Sequence, residues 1–246
     1  MNKLFKVFAM AVMLIMGGQA MAQTHGTMFL GASFPMGDFE KVNSLSSTAL
    51  WGDENQTFGG AAIGFNAGLK WDFGTGIPGI AVILSVDGFY NGPSADMKEC
   101  YKEVVNIADY LNGDVDQTTP KYINVPAMLG LRYTFNLTPQ LAIYAEGAAG
   151  GNARFITDYT LKYTDLLNVK HTDTESFSTA YTFAYQAGLG IEVSRNLVIG
   201  CSFYNLGGAT VKGEGTIKPS LSNGTYDIER GTLKPVMVLG RIGFRF

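Results

Sequence analysis

Apolar and small or polar residues alternate along most of this chain. Eight segments show it, roughly 26–36, 58–73, 80–92, 121–135, 141–155, 177–193, 197–209 and 233–246. In the sixth, Tyr181, Phe183, Tyr185, Ala187, Leu189, Ile191 and Val193 fall on one face. Thr182, Ala184, Gln186, Gly188, Gly190 and Glu192 fall on the other. The fourth sets Ile123, Val125, Ala127, Leu129, Leu131, Tyr133 and Phe135 against Asn124, Met128, Gly130, Arg132 and Thr134. A period of two predicts β-strands, and these lengths suit strands that cross a membrane, which need about 9–11 residues.

The charges then choose the face. Lys70, Asp72, Asp87, Arg132, Glu146, Arg154, Glu192, Arg241 and Arg245 all fall on the small, polar side. Lys121 and Lys234 depart from this at the loop-side strand ends, where a long side chain reaches water. Few charges of both signs among Gly, Ser, Thr and Asn fit a cramped barrel interior, where buried charges must pair. Trp71, Phe73, Tyr133 and Phe135, with Phe244 and Phe246, gather at one strand end as an interfacial aromatic girdle would. Connections near 74–79, 136–140 and 194–196 are short, and those near 37–57, 93–120, 156–176 and 210–232 are long and polar. That alternation predicts an all-β fold, an eight-stranded antiparallel up-and-down transmembrane β-barrel with long loops on one side. A soluble lipocalin-like barrel is the alternative.

The first 22 residues read differently. Lys3 and Lys6 precede an apolar run from Val7 to Met16, and Ala20-Met21-Ala22 supplies a small-residue end. This is the layout of a secretory signal peptide, so cleavage is expected after Ala22, leaving 23–246 as the barrel. Removing Lys3 and Lys6 leaves 16 basic against 21 acidic residues. No basic cluster exists to neutralise phosphates, so nucleic acid is not an expected partner. Two cysteines and two histidines in all make a Cys/His metal site implausible, and no metal or cofactor is expected. Cys100 lies in a loop and Cys201 on the lipid-facing parity, and both are read as free thiols.

The last strand ends Val236-Met237-Val238-Leu239-Gly240-Arg241-Ile242-Gly243-Phe244-Arg245-Phe246. With its terminal aromatic and the alternation behind it, the chain resembles the small bacterial outer-membrane β-barrels of the porin-like, OmpA/OmpX-like family. In that resemblance Val238, Ile242, Phe244 and Phe246 match the C-terminal sorting signal, with Gly240 its weak position. The segment Tyr122-Ile123-Asn124-Val125-Pro126, leading into Leu131-Arg132-Tyr133-Thr134-Phe135, is similar to a recurrent strand of the same broad family. The resemblance implies outer-membrane lipids and the barrel-assembly machinery as partners, an outer-membrane location, and a monomer. It does not specify an activity, because members include structural proteins, adhesins, small pores and lipid-modifying enzymes. Two-domain members carry a peptidoglycan-binding domain after the barrel. This chain stops at Phe246, so direct cell-wall tethering is not expected.

For function the interior charges admit two readings: a salt-bridged plug, or a narrow pore whose charges set ion preference. Small inward residues such as Gly188, Gly190 and Gly200 leave room for water, or let Tyr144 and Tyr204 pack across. The expected function is a non-enzymatic barrel with long extracellular loops for surface interaction or envelope structure and a closed or narrow lumen. A porin-like passive channel is the alternative. His25, just past the cleavage point, is expected in a loose terminus. His171 with Asp173, Glu175 and Ser176 is the sole grouping suggestive of acyl transfer, and a solvated loop is its simpler reading. Asp114-Val115-Asp116 lacks the spacing and glycine of a standard calcium loop. Met97 to Leu111 could form a short helix, or the 93–120 region an extra hairpin making ten strands. Asn223-Gly224 looks like a type I′ turn, extending the last two strands as a hairpin beyond the membrane.

Overall fold

A computed structural model describes residues 24–41, 59–99, 116–164, 169–194, 196–219 and 224–246. The signal segment, Cys100 and most of the 97–111 helix expectation lie outside the described residues. Thirteen strands run in chain order: β1 Thr24–Met36, β2 Gly64–Gly74, β3 Ile80–Asn91, β4 Asp116–Gln117, β5 Tyr122–Thr138, β6 Leu141–Ile156, β7 Tyr159–Thr164, β8 Lys170–Phe177, β9 Ala180–Val193, β10 Leu197–Asn205, β11 Ala209–Pro219, β12 Gly224–Leu233 and β13 Val236–Arg245.

Eight of them close an antiparallel barrel in the order β1-β13-β10-β9-β6-β5-β3-β2. Closure is made by β1, which pairs with β2 on one side and β13 on the other, so the barrel has no free edge. These eight are the alternating segments. The second starts later than its pattern, at Gly64, because residues 59–61 turn into the barrel mouth, where Ala61 bridges to Pro93. The β3–β5 ladder skips Asp87 and Gly88, opposite Val125 and Pro126, because proline has no N–H to donate.

The short turns sit together at one end. In the β2–β3 turn Thr75 Oγ1 accepts from the Ile77 amide at 3.3 Å and donates to the Ile80 carbonyl at 3.0 Å. Gly76 and Gly79 hold φ near 81° and 79°, a left-handed backbone that suits glycine.

The other end differs from the expectation of loops. β7, β8, β11 and β12, with β4, form a second sheet in the order β12-β11-β8-β7-β4. Each long member carries on from a barrel strand after two or three residues, so two hairpins rise from the rim. The barrel itself stays at eight strands, because residues 116–117 pair with β7 in this second sheet. β11 and β12 do form the hairpin suggested by Asn223-Gly224, although Asn223 is outside the described residues. Residues 95–99 are helical, begun by Ser94, whose Oγ accepts from the Met97 amide at 3.1 Å.

The faces are inverted relative to a water-soluble protein. Leu131, Leu189, Ile242 and Phe244 point outward and are exposed, while Lys70, Arg132, Glu146 and Arg241 point inward and are buried. From Tyr181 to Val193 the strand runs about 40 Å, or about 30 Å along the barrel axis at a tilt of about 40°. The loop-side half of the interior is an apolar core of Phe39, Phe89, Tyr122, Met128, Tyr204, Met237 and Leu239, among others. The turn-side half is charged.

Candidate functional site in the barrel interior

Inward parity brings eight of the nine predicted charges together, and the structure sorts them into two groups. Nearest the turns, Arg132 of β5 and Arg245 of β13 alternate with Asp72 of β2 and Glu192 of β9. Arg132 lies 3.2 Å from Asp72 and also contacts Glu192. Arg245 lies 2.6 Å from each of the same two carboxylates. Four side chains from four strands therefore close a ring of alternating charge. Above it, Lys70 contacts Glu146, Glu146 is 3.2 Å from Arg241, and Arg241 is 3.5 Å from Asp87. Tyr204 donates its hydroxyl to Asp87 at 3.0 Å and accepts from Arg241 at the same distance.

The balance is four positive against four negative, so each buried charge has an opposite partner. Arg154 is the ninth, and it does not join them. It lies nearer the loop-side mouth and donates to the Leu233 carbonyl at 2.9 Å and the Gly207 carbonyl at 2.7 Å, with no acidic partner among the described residues. Its parity placed it inside, but parity carries no information on depth, and Arg154 sits well above the acids.

Aromatic rings that the charge pattern did not reveal hold this network. The Arg132 guanidinium lies 3.8 Å from the Tyr144 ring centroid, and Phe29 sits between Lys70 at 4.9 Å and Arg241 at 4.8 Å. Glycines make the room. A side chain on Gly190 would start 2.6 Å from the Tyr144 hydroxyl, and one on Gly200 would collide with the same oxygen. Gly243 similarly accommodates Phe29. Tyr144 packs against glycines as its inward parity suggested, and for Phe29 the same signal lay in Gly243.

Below the ring, the barrel opens at the turn-side end into a recess of about 1210 Å³, bordered by Asp72, Arg132, Glu192, Arg245, Thr134 and the 74–80 turn, among others. His25 belongs to β1, paired in register with Asp72, rather than to a loose terminus.

Outside, Trp71, Phe73, Tyr133, Phe135, Phe244 and Phe246 lie at the turn-side end of the wall. A second belt at the loop side, which the sequence reading missed, contains Phe34, Phe65, Tyr90, Phe155, Tyr181, Phe183, Tyr185 and Phe203. Phe65 and Tyr90 stack at 5.1 Å. Val238, Ile242, Phe244 and Phe246 share the outward parity of the final strand, and Cys201 is exposed on the same outer wall.

The His171 grouping resolves into strand geometry. His171, Asp173 and Glu175 follow one another on one face of β8, while Ser176 is on the opposite face, so a His–Asp–Ser relay has no route. His171 stacks on Tyr163 at 4.8 Å. Burial raises the Asp173 carboxyl above the ordinary carboxylate range, with His171 pulling it partly back. Asp114 and Val115 lie outside the described residues, and Asp116 is placed in β4.

No family model matches the chain, and no curated protein matches it. Solved structures do. The attachment invasion locus protein Ail of Yersinia pestis is similar at 15% identity, covering 91% of this chain and 99% of its own, with a TM-score of 0.40. A major outer membrane protein of Thermus thermophilus covers 91% of this chain and 100% of its own at 11% identity and a TM-score of 0.43. The outer membrane protein OprG of Pseudomonas aeruginosa covers 91% and 94% at 12% identity and a TM-score of 0.41. At these identities and TM-scores none of them carries an activity over to this chain.

Proposed function

We infer that the protein is an integral outer-membrane β-barrel, exported by a signal peptide cleaved after Ala22. It acts without chemistry of its own, through the sheet it raises above the membrane. The observation that carries this is the inverted barrel itself, apolar outside and charge-paired inside. A surface of exposed Leu, Ile, Val and Phe between two aromatic belts is stable only against lipid. The interior supports a closed lumen, because the ring of Arg132, Asp72, Arg245 and Glu192 spans it and an apolar core fills the space above. Val238, Ile242, Phe244 and Phe246, outward on the last strand, serve as the sorting signal read by the assembly machinery. The hairpins β7–β8 and β11–β12 serve surface interaction on the cell exterior.

The test is chemical labelling of intact cells with a membrane-impermeant maleimide, in a background with Cys100→Ser and Cys201→Ala. Lys170→Cys, near the tip of the second sheet, should label at once. Gln140→Cys, in a short turn, should label only after the outer membrane is permeabilised. The reverse pattern would invert the orientation, and labelling of neither in intact cells would remove the exterior role.

A further inference from the structure

The second sheet has two unlike faces. Toward the barrel mouth it presents Tyr159, Leu161, Val211 and Ile228. The opposite face is polar, and its residues fall into rows because directly opposed residues on antiparallel strands share a face. One row is Thr160, Thr174, Thr216 and Thr225, one from each of β7, β8, β11 and β12. The next row toward the tips holds Lys162, Thr172 and Lys218. The next row toward the barrel holds Ser176, Glu214 and Asp227.

The face is therefore polarised, with lysines in the row above the threonines and acids in the row below them, and the next row toward the barrel is a neutral Lys212–Glu229 pair at 2.9 Å. Lys162, Lys218, Glu214 and Asp227 are all exposed. Lys162 reaches Asp116 at 3.5 Å with both side chains mostly in water, a pairing of little weight. Lys218, Glu214 and Asp227 have no ion-pair partner among the described residues. Glu214 and Asp227 stand directly opposite each other, a like-charge pairing that Lys212 in the next row, already paired with Glu229, offsets only in part.

We propose that this face docks onto the same face of a second copy of the chain, presented from an opposed membrane. The inference rests on the exterior placement of the sheet proposed above. A two-fold axis along the threonine row superposes the rows and exchanges tip for base. Lys218 of each copy then faces Glu214 of the other, and the threonines meet at the axis. Two copies side by side in one membrane would keep both tips together and set one lysine-bearing row against the other, with no lysine opposite an acid. The charge pattern thus selects contact between membranes and opposes a lateral dimer. Four strands about 4.8 Å apart and about 27 Å of their length offer roughly 500 Å² per copy. That places the contact at the low end of specific interfaces, at about 1,000 Å² in total. A single contact is weak, and many between two surfaces act together.

The experiment uses cells exporting the full chain and scores their clustering by two-colour microscopy. Wild-type cells should cluster at low ionic strength and disperse near about 1 M salt, where the screening length falls to about 3 Å. Cells carrying Lys218→Glu should not cluster with each other, nor should cells carrying Glu214→Lys. A mixture of those two populations should cluster like wild type, because one cross-copy pair keeps its wild-type charges and the other is restored with its signs exchanged. Gel mobility on heating verifies that each variant retains its barrel. Clustering of either variant alone at the wild-type level, or a mixture that stays dispersed, overturns the proposal, as does dispersal of wild-type cells at low ionic strength. The Lys170→Cys label in the same cells separates the two failures. Labelled cells that do not cluster reject the docking face, and unlabelled cells reject the exterior placement beneath it.

Discussion

Replacing Arg241 with methionine should cost the barrel about 3–5 kcal/mol, the largest loss expected from any interior substitution. Methionine preserves much of the volume and the contact with Phe29, so the loss is electrostatic. Arg241 serves Asp87 at 3.5 Å, Glu146 at 3.2 Å and the Ser202 hydroxyl at 2.7 Å. Without it Glu146 retains Lys70, but Asp87 is left as a buried carboxylate with only the Tyr204 hydroxyl. The cost therefore concentrates on one group, and that makes a second expectation specific. Arg241→Met combined with Asp87→Asn should be more stable than Arg241→Met alone, because the remaining Lys70–Glu146 pair is again neutral. Urea unfolding in lipid vesicles, followed by tryptophan fluorescence, measures both. Additive losses in the double variant would mean that the charges are not coupled in this way.

Gly200→Val should be the next most damaging change. Its side chain would start at the position of the Tyr144 hydroxyl, and the same ring already fills the space that a side chain on Gly190 would take. Tyr144 must then leave its place against the Arg132 guanidinium, 3.8 Å away. Overpacking of this kind costs about 1–3 kcal/mol, and loss of the ring's aromatic support adds to it. Adding Tyr144→Ala returns the space, so the pair should recover part of the lost midpoint in the same unfolding assay. If Gly200→Val unfolds at the wild-type urea concentration, Tyr144 is not packed across the interior as described.

The barrel was legible in the sequence because a membrane imposes a rule on every strand. Lipid on one side and a confined interior on the other force strict alternation, which ran through the eight segments and held from Tyr181 to Val193 without a break. Of the second sheet, the β11–β12 hairpin was legible from Asn223-Gly224, but β7 and β8 were not. Tyr159-Thr160-Leu161-Lys162-Tyr163-Thr164 alternates just as well, but it is shorter than a membrane-crossing strand and rich in polar residues. Without lipid against it, the same period reads as a solvated loop. Inward parity located the interior charges, but which partner each meets depends on depth along the axis and on the stagger between strands. Those quantities belong to the register of pairing, which is why Arg154 could be placed inside and not separated from the others. Tyr144 was legible as a ring that could pack across Gly190 and Gly200, whereas Phe29 was obscured because its partner Gly243 lies on a strand at the other end of the chain.

Under the proposed function, the ring of Arg132, Asp72, Arg245 and Glu192, with the core above it, seals the barrel and leaves the raised sheet to do the protein's work. Conductance in a planar bilayer tests this most directly, using refolded protein whose gel mobility shift on heating demonstrates a folded barrel. The seal predicts an electrically silent membrane. Reproducible current steps of fixed size from the same folded material would contradict it and make the interior charges the lining of a pore.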